Sequence, residues 1–271
     1  MLKINCVIVA YNNEIDNLDN IRPLITNKIN AKIIICDNSE KKELKIANYK
    51  FCEENYIKYI DMHGNKGLSK AYNEAIKELD NDSWMVIFDQ DTDISQDYFV
   101  ELGKSLNSYP NVNIHVPIVK SKRCQISPSQ LKKYRVKSIE LSTPGIYTGI
   151  TAINSGMAIK KEVFNLVGNY NEKIFLDYLD HFFIKEYRKH FKEIAVFNSI
   201  LNQDFSDDDH SNFLRDLNRF RIYSNDFYEF CKDSLEGRIY CLMKLSFRAS
   251  KLSMMHKKLD FFKIALERRK E

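Results

Sequence analysis

The chain has 271 residues, 44% of them hydrophobic and 29% charged, which is enough for one large domain or one domain with an appendage and excludes a disordered chain. The formal net charge is only +4, which gives no case for a nucleic-acid partner. No apolar stretch approaches the roughly 20 residues needed to span a bilayer.

Ile4 to Ala10 is a short, β-branched apolar run that reads as a buried first strand rather than a signal peptide. Residues 13–29 follow with Ile15, Leu18 and Ile21 on one helical face, interrupted by Pro23. Lys32 to Cys36 is a second buried strand ending at Asp37-Asn38-Ser39, and Tyr56 to Ile60 a third. The spacing of Leu68, Ala71, Tyr72, Ala75, Ile76 and Leu79 predicts a helix over 67–79, and 84–88 is the fourth strand. This alternation predicts an α/β fold with a largely parallel sheet. Ligands of such sheets bind beyond the carboxyl ends of the strands. That rule selects Ala10-Tyr11-Asn12, Asp37-Asn38-Ser39 and Asp89 to Asp93 as parts of one cleft.

Residues 120–150, with Pro128, Pro144 and Gly145, read as a long irregular loop. Another strand is expected over 151–160 and helices over 161–167 and 180–190. From about 212 no strand signal remains. Phe213, Leu217, Phe220, Phe227 and Phe230 recur at near-helical spacing, and 236–270 reads as a basic helix. Its apolar stripe, Leu242, Leu245, Ala249 and Leu252, lies beside a basic stripe, Lys244, Arg248 and Lys251. Such a helix fits an anionic membrane surface, its own domain or a second subunit. Six cysteines include no Cys-x-x-Cys pair, and Cys6 and Cys36 sit inside strand-like runs, which points to reduced thiols in a cytoplasmic protein.

The run Trp84 to Asp93 carries the most chemistry. A buried strand ends in Asp89, Asp91 and Asp93, whose like charges call for a positive partner. Hard oxygen ligands suit Mg²⁺ or Mn²⁺ held together with substrate phosphates. Taken alone, the run reads equally as an acidic turn. The acidic stretch from Asp204 to His210 adds one further candidate metal ligand, His210, although a solvated loop is the plainer reading.

Together these segments resemble a family 2 nucleotide-sugar glycosyltransferase of the GT-A fold, across about residues 3–205. The matching motifs, in order, are the first strand with Ala10-Tyr11-Asn12, Ile35 to Ser39, Gly64 to Asn73, and Phe88-Asp-Gln-Asp-Thr92, which resembles the family's DxD site. The Asp-Gln-Asp-Thr form is similar to bacterial rhamnosyltransferases of capsule and cell-wall synthesis. Asn154 to Phe164 resembles the acceptor-side strand and helix, and Val167 to Asp180 the segment that delivers the catalytic base. The chain departs from the family at His181-Phe182-Phe183, where a further acidic residue is usual.

The resemblance implies a mixed, mostly parallel sheet flanked by helices, with a catalytic domain over 1–205 (nucleotide half to about 95, acceptor half from about 96) and a helical extension over 206–271. It implies inverting transfer of a sugar from a dTDP or UDP donor to a hydroxyl of a lipid-linked acceptor at the inner membrane face. Asp180 aligns with the base and Asp177 is the alternative. Asp91, with Asp89 or Asp93, would hold Mn²⁺ or Mg²⁺. Ala10, Tyr11, Asn12, Asp37, Asn65, Gly67, Asn73, Asp89, Gln90, Ser155 and Gly156 would line the donor pocket. Tyr11 reads equally as strand-end packing, Gly67 as a helix-start turn and Gly156 as relief of a tight bend. Arg215, Arg219 and Arg221 are phosphate candidates whose helical setting favours packing. A homodimer is compatible with the pattern. The rival readings are a haloacid-dehalogenase-like phosphatase, whose nucleophile motif is also Asp-x-Asp after a strand, and a non-catalytic nucleotide-sugar binding subunit.

Overall fold

The structure is a computed structural model that describes residues 2–18, 20–26, 31–95, 97–122, 124–203 and 212–267. In chain order the first half contains β1 (Lys3–Ala10), α1 (Ile21–Thr26), β2 (Ala31–Asp37), α2 (Lys42–Glu54), β3 (Lys58–Asp61), α3 (Leu68–Lys77), β4 (Ser83–Phe88) and α4 (Tyr98–Ser108). β5 (Ile114–Lys120), β6 (Gln125–Ser127), β7 (Ser129–Lys132), β8 (Arg135–Ser138), β9 (Gly145–Thr148), β10 (Ile150–Thr151), β11 (Met157–Lys160), α5 (Lys161–Val167), α6 (Leu179–Tyr187) and β12 (Glu193–Asn202) complete the sheet region. α7 (Phe213–Cys231), α8 (Leu235–His256) and α9 (Asp260–Glu267) follow.

The main sheet has the order β3-β2-β1-β4-β11-β5-β12-β9, with β6 paired to β5. β1 pairs in parallel with β2 and β4, and β12 with β5, whereas β11 runs antiparallel to both β4 and β5. Every residue of β4 is buried, which is why its sequence is continuously apolar. On β1 the side chains alternate between two cores. Val7 and Val9 join Tyr72 and Ala75 of α3, and Cys6 and Ile8 join Tyr98 and Leu102 of α4.

Four expectations need correction. The stretch 13–29 is not one helix: a single 3₁₀ turn at Ile15–Asn17 precedes α1, and Pro23 falls in the first turn of α1, where a missing N–H costs nothing. The supposed loop 120–150 holds β6 to β9, and β7 and β8 join β10 in a small second sheet. Residues 151–160 are two strands separated by a bend at Gly156, whose φ is +74°. The basic segment 236–270 is α8 and α9, divided where Lys257 turns left-handed with φ +53°. Of the predicted stripe, Leu245, Ala249 and Leu252 are buried in a third core with Phe220, Phe227 and Phe230, while Leu242 is only partly buried. No described helix is long and apolar enough to cross a membrane.

Candidate active site

Parallel pairing aligns the carboxyl ends of β1, β2 and β4, and short hydrogen bonds then join the three predicted segments. Asn38 donates its amide to the Ala10 carbonyl at 2.8 Å, Asn12 its amide to Ser39 Oγ at 2.9 Å, and Tyr11 its amide to Gln90 Oε1 at 3.0 Å. Because β11 is antiparallel, its amino end lies beside these carboxyl ends and brings Ser155 to Asp89.

Asp89 sits just past β4. Its Oδ2 accepts a short hydrogen bond from Ser155 Oγ and another from Gln203 Nε2 at 3.0 Å, and Ser155 Oγ also lies 2.9 Å from Gln203 Oε1. Burial pushes the Asp89 carboxyl above its usual range; the Ser155 and Gln203 bonds oppose the shift, while the nearby charges of Asp91 and Asp180 add to it. The three carboxylates do not continue the strand. The strand stops at Phe88, and Asp89 to Thr92 form a turn closed by the Thr92 amide on the Asp89 carbonyl at 3.0 Å. Asp91 and Asp93 are exposed, and Asp93 is tied by its backbone to Asn202. Among the described residues no three His, Cys, Asp or Glu side chains gather as a metal site. His210 lies outside the described residues. The donor set still suits a hard ion that draws most of its ligands from a diphosphate: Asp91 is exposed, without a hydrogen bond or ion pair to any described residue, and stands beside a buried carboxyl.

Several predicted donor-pocket residues make bonds or close contacts within the scaffold. Asp37 is fully buried. Its Oδ1 accepts the Ser39 amide at 2.8 Å, and its Oδ2 accepts Asn48 Nδ2 at 2.8 Å and Tyr59 Oη at 3.0 Å, so it shapes the turn after β2. Asn73 is buried with both amide atoms on Tyr170, donating to its carbonyl and accepting its amide, each at 3.0 Å. It anchors the acceptor-side loop. Gly67, at φ +83°, has room for no Cβ, which would lie 2.6 Å from the Phe175 ring. Gly156 is pressed in the same way, with Leu201 and Pro117 at 2.5 and 2.7 Å from a Cβ. Asn65 Oδ1 accepts the Gly67 amide at 3.2 Å and so shapes the loop before α3. Tyr11 is 40% exposed at the mouth of the cleft, a position open to a flat ligand.

The two base candidates differ in setting. Asp177 forms a two-pronged ion pair with Arg219 of α7, whose Nη2 donates to Oδ1 at 2.7 Å. Asp180, in the first turn of α6, has no Arg or Lys partner among the described residues; its Oδ1 accepts the His181 amide at 2.6 Å and lies 3.8 Å from His181 Nδ1. His181 Nδ1 in turn lies 2.8 Å from Thr151 Oγ1. The residues preceding Asp180 are held by a carboxylate that the sequence did not single out: Asp226, fully buried on α7, accepts the amides of Phe175, Leu176 and Asp177, all at 2.8 Å. Gln203 was missed as well. Recognising 193–202 as a strand would have placed it at a carboxyl end.

A model described as Glycosyl transferase family 2 matches residues 6–167, more than half of the chain. The chain belongs to glycosyl transferase family 2. This glycosyl transferase family 2 chain is 30% identical over 188 residues to the dTDP-rhamnosyl transferase RfbF of Shigella flexneri, which covers 65% of the chain but only 60% of that protein's length. Three solved structures show the GT-A fold expected. GalNAc-T7 with UDP, GalNAc and Mn²⁺ superposes with TM-score 0.65 at 14% identity, over 98% of this chain and 56% of that one. TarS 1–349 of S. aureus with UDP-GlcNAc gives 0.60 at 11%, over 98% and 79%. Mannosyltransferase PcManGT of Pyrobaculum calidifontis with GDP-Man and Mn²⁺ gives 0.59 at 12%, over 88% and 69%. The family 2 match takes in Asp89, Asp91 and Ser155 and stops before Asp177 and Asp180, so the choice of base rests on geometry. The phosphatase reading loses its ground, because the Asp-x-Asp run closes the fourth strand of a family 2 sheet.

Proposed function

We propose that this chain is a metal-dependent, inverting glycosyltransferase that moves a sugar from a nucleoside diphosphate, dTDP-rhamnose or a UDP-sugar, to a hydroxyl of a lipid-linked oligosaccharide in bacterial surface polysaccharide synthesis. The observation that carries the reading is the buried Asp89 just past β4, bonded to Ser155 and Gln203 and near enough to Asp91 and Asp180 for both charges to raise its pKa. The rhamnosyl transferase likeness supports the dTDP-rhamnose option, and the UDP and GDP-sugar neighbours support a nucleotide-sugar donor. In this reading residues 1–205 are the catalytic domain and the remainder is a helical extension.

The leaving diphosphate develops negative charge, and the acceptor hydroxyl is a weak nucleophile. Asp91 would hold Mn²⁺ or Mg²⁺, which would supply positive charge to stabilise the leaving diphosphate. Tyr11, at the exposed mouth of the cleft, packs on the nucleotide base. Asp180 takes the acceptor proton as the hydroxyl oxygen bonds to the anomeric carbon and the bond to the diphosphate breaks on the opposite face. Asp177 is the poorer base, because its charge is already committed to Arg219. A lipid-linked acceptor places the chain at the inner face of the membrane.

The test is release of nucleoside diphosphate from dTDP-rhamnose and a panel of UDP-sugars, with and without Mn²⁺, in the presence of lipid-linked acceptor. Turnover of one donor with inverted anomeric configuration is expected. Binding without turnover of any donor would make the chain a nucleotide-sugar binding subunit.

A further inference from the structure

A large hollow among the described residues is lined by none of the candidate active-site residues. It is a groove of about 920 Å³ between the small sheet, β7 and β8, and helix α8. Its apolar wall is a row on α8, Ile239, Met243 and Phe247, spaced four residues apart on one helical face and 51%, 55% and 72% exposed. A second hollow of about 440 Å³, toward α9, shares Met243 and Phe247, so these two side chains stand as a ridge between two open grooves. This is the face of α8 opposite the buried Leu245, Ala249 and Leu252. An apolar row this exposed on a helix whose other side is already packed marks a contact surface.

The rim is cationic. Lys132, Lys133, Arg135, Arg188 and Lys244 line the larger groove against a single carboxylate, Glu236, which Lys133 already engages at 2.6 Å. Arg135 and Lys244 hold to the Tyr240 ring at 5.3 and 5.9 Å, and Arg188 donates to the Leu131 carbonyl at 3.0 Å. Lys132, Arg135, Arg188 and Lys244 have no carboxylate partner among the described residues. Apolar side chains standing out of a cationic rim match the two forces that hold a peripheral protein on an anionic bilayer. They oppose self-association, since two copies of the same cationic face repel. The groove is also tied to the candidate base. Arg188 caps the helix that Asp180 begins, which puts the groove roughly 12 Å along the α6 axis from that carboxylate.

We propose that this face docks on an anionic phospholipid surface, with Ile239, Met243 and Phe247 entering the headgroup boundary and Lys132, Arg135, Arg188 and Lys244 meeting the lipid phosphates. The inference takes its purpose from the lipid-linked acceptor of the proposed function, and its support from the groove alone. It replaces the stripe Leu242, Leu245, Ala249 and Leu252 with a different face of the same helix.

The test is co-sedimentation of the full chain with vesicles of phosphatidylcholine alone or with about 30% phosphatidylglycerol. Binding to the anionic vesicles only, weakened by added salt, is expected. Met243→Glu with Phe247→Glu, and separately Lys132→Glu with Arg135→Glu, should each reduce the bound fraction on the order of tenfold. Both variants should keep wild-type thermal melting and nucleotide binding. Wild-type protein that stays in the supernatant, or variants that sediment like wild type, would overturn the proposal. So would a wild-type dimer that binds no vesicle and is split by Met243→Glu with Phe247→Glu, which would assign the face to a second copy. Failure of nucleotide binding with vesicle binding intact would sink the transferase reading and leave this one standing.

Discussion

Asp226 of α7 accepts the backbone amide of Asp177 at 2.8 Å, so a helix that follows the sheet in sequence holds the loop leading to the candidate base. The same carboxylate takes the amides of Phe175 and Leu176, and Arg219, two turns earlier on α7, pairs with the Asp177 side chain. Charge-assisted bonds of this kind hold a loop more firmly than neutral ones. Asp226→Ala leaves three amides without their acceptor and is expected to cost about 2–4 kcal/mol of stability. Asp226→Asn, which retains an acceptor oxygen, should cost less. Urea unfolding measures both, and an Asp226→Ala protein as stable as wild type would contradict the assigned role.

Asp180→Asn should leave nucleotide binding intact and lower transfer by about 10²–10⁴-fold, the usual contribution of a positioned general base. Asp177→Asn should have the smaller effect, through loosening of the Arg219 pair, which is partly exposed and worth only about 0.5–1 kcal/mol. Rates under saturating donor distinguish the two. A larger loss in Asp177→Asn would reverse the assignment.

Gly67 and Phe175 are packed without room for a methyl group, and Leu68 donates its amide to the Phe175 carbonyl at 2.7 Å. Gly67→Ala adds a clash to a left-handed backbone and should lower stability by about 1–3 kcal/mol. Because Phe175 starts the loop held by Asp226, transfer should fall with it. Thermal melting and a transfer assay on the same sample check the pair of effects.

His115 supplies a pH dependence remote from the cleft. Its ring is fully buried, 2.7 Å from Ser105 Oγ and 3.0 Å from the Val112 carbonyl. Burial holds its pKa down to about 4 from 6.5, opposed by the Val112 bond. The folded state binds its proton less readily than the unfolded state, so the neutral ring contributes stability above pH 6.5 that is lost as pH falls toward 4. His115→Gln should flatten the stability profile across that window. Urea midpoints at neutral and mildly acidic pH provide the check.

The sequence showed the nucleotide half of the fold well because β1, β2 and β4 are buried on both faces and therefore continuously apolar. The three segments at their carboxyl ends do meet, as parallel pairing requires. The sequence did not show which polar residues face the cleft. Asp37 and Asn73 carry the motif yet satisfy the scaffold, because a buried carboxylate or amide looks the same in sequence whether its partner is a ligand or a backbone amide. Gln203 and Asp226 were hidden because each reaches its partner across a long span of chain. The stripe on α8 was real, but the helical period alone does not say which side α7 covers.

The most direct test of the central claim is calorimetric titration of wild-type and Asp91→Asn protein with dTDP and with UDP, each with and without Mn²⁺. Binding of one nucleotide that requires the metal and is lost in Asp91→Asn is the predicted result. Absence of binding of either nucleotide with Mn²⁺ present, or equal binding by Asp91→Asn, would contradict it.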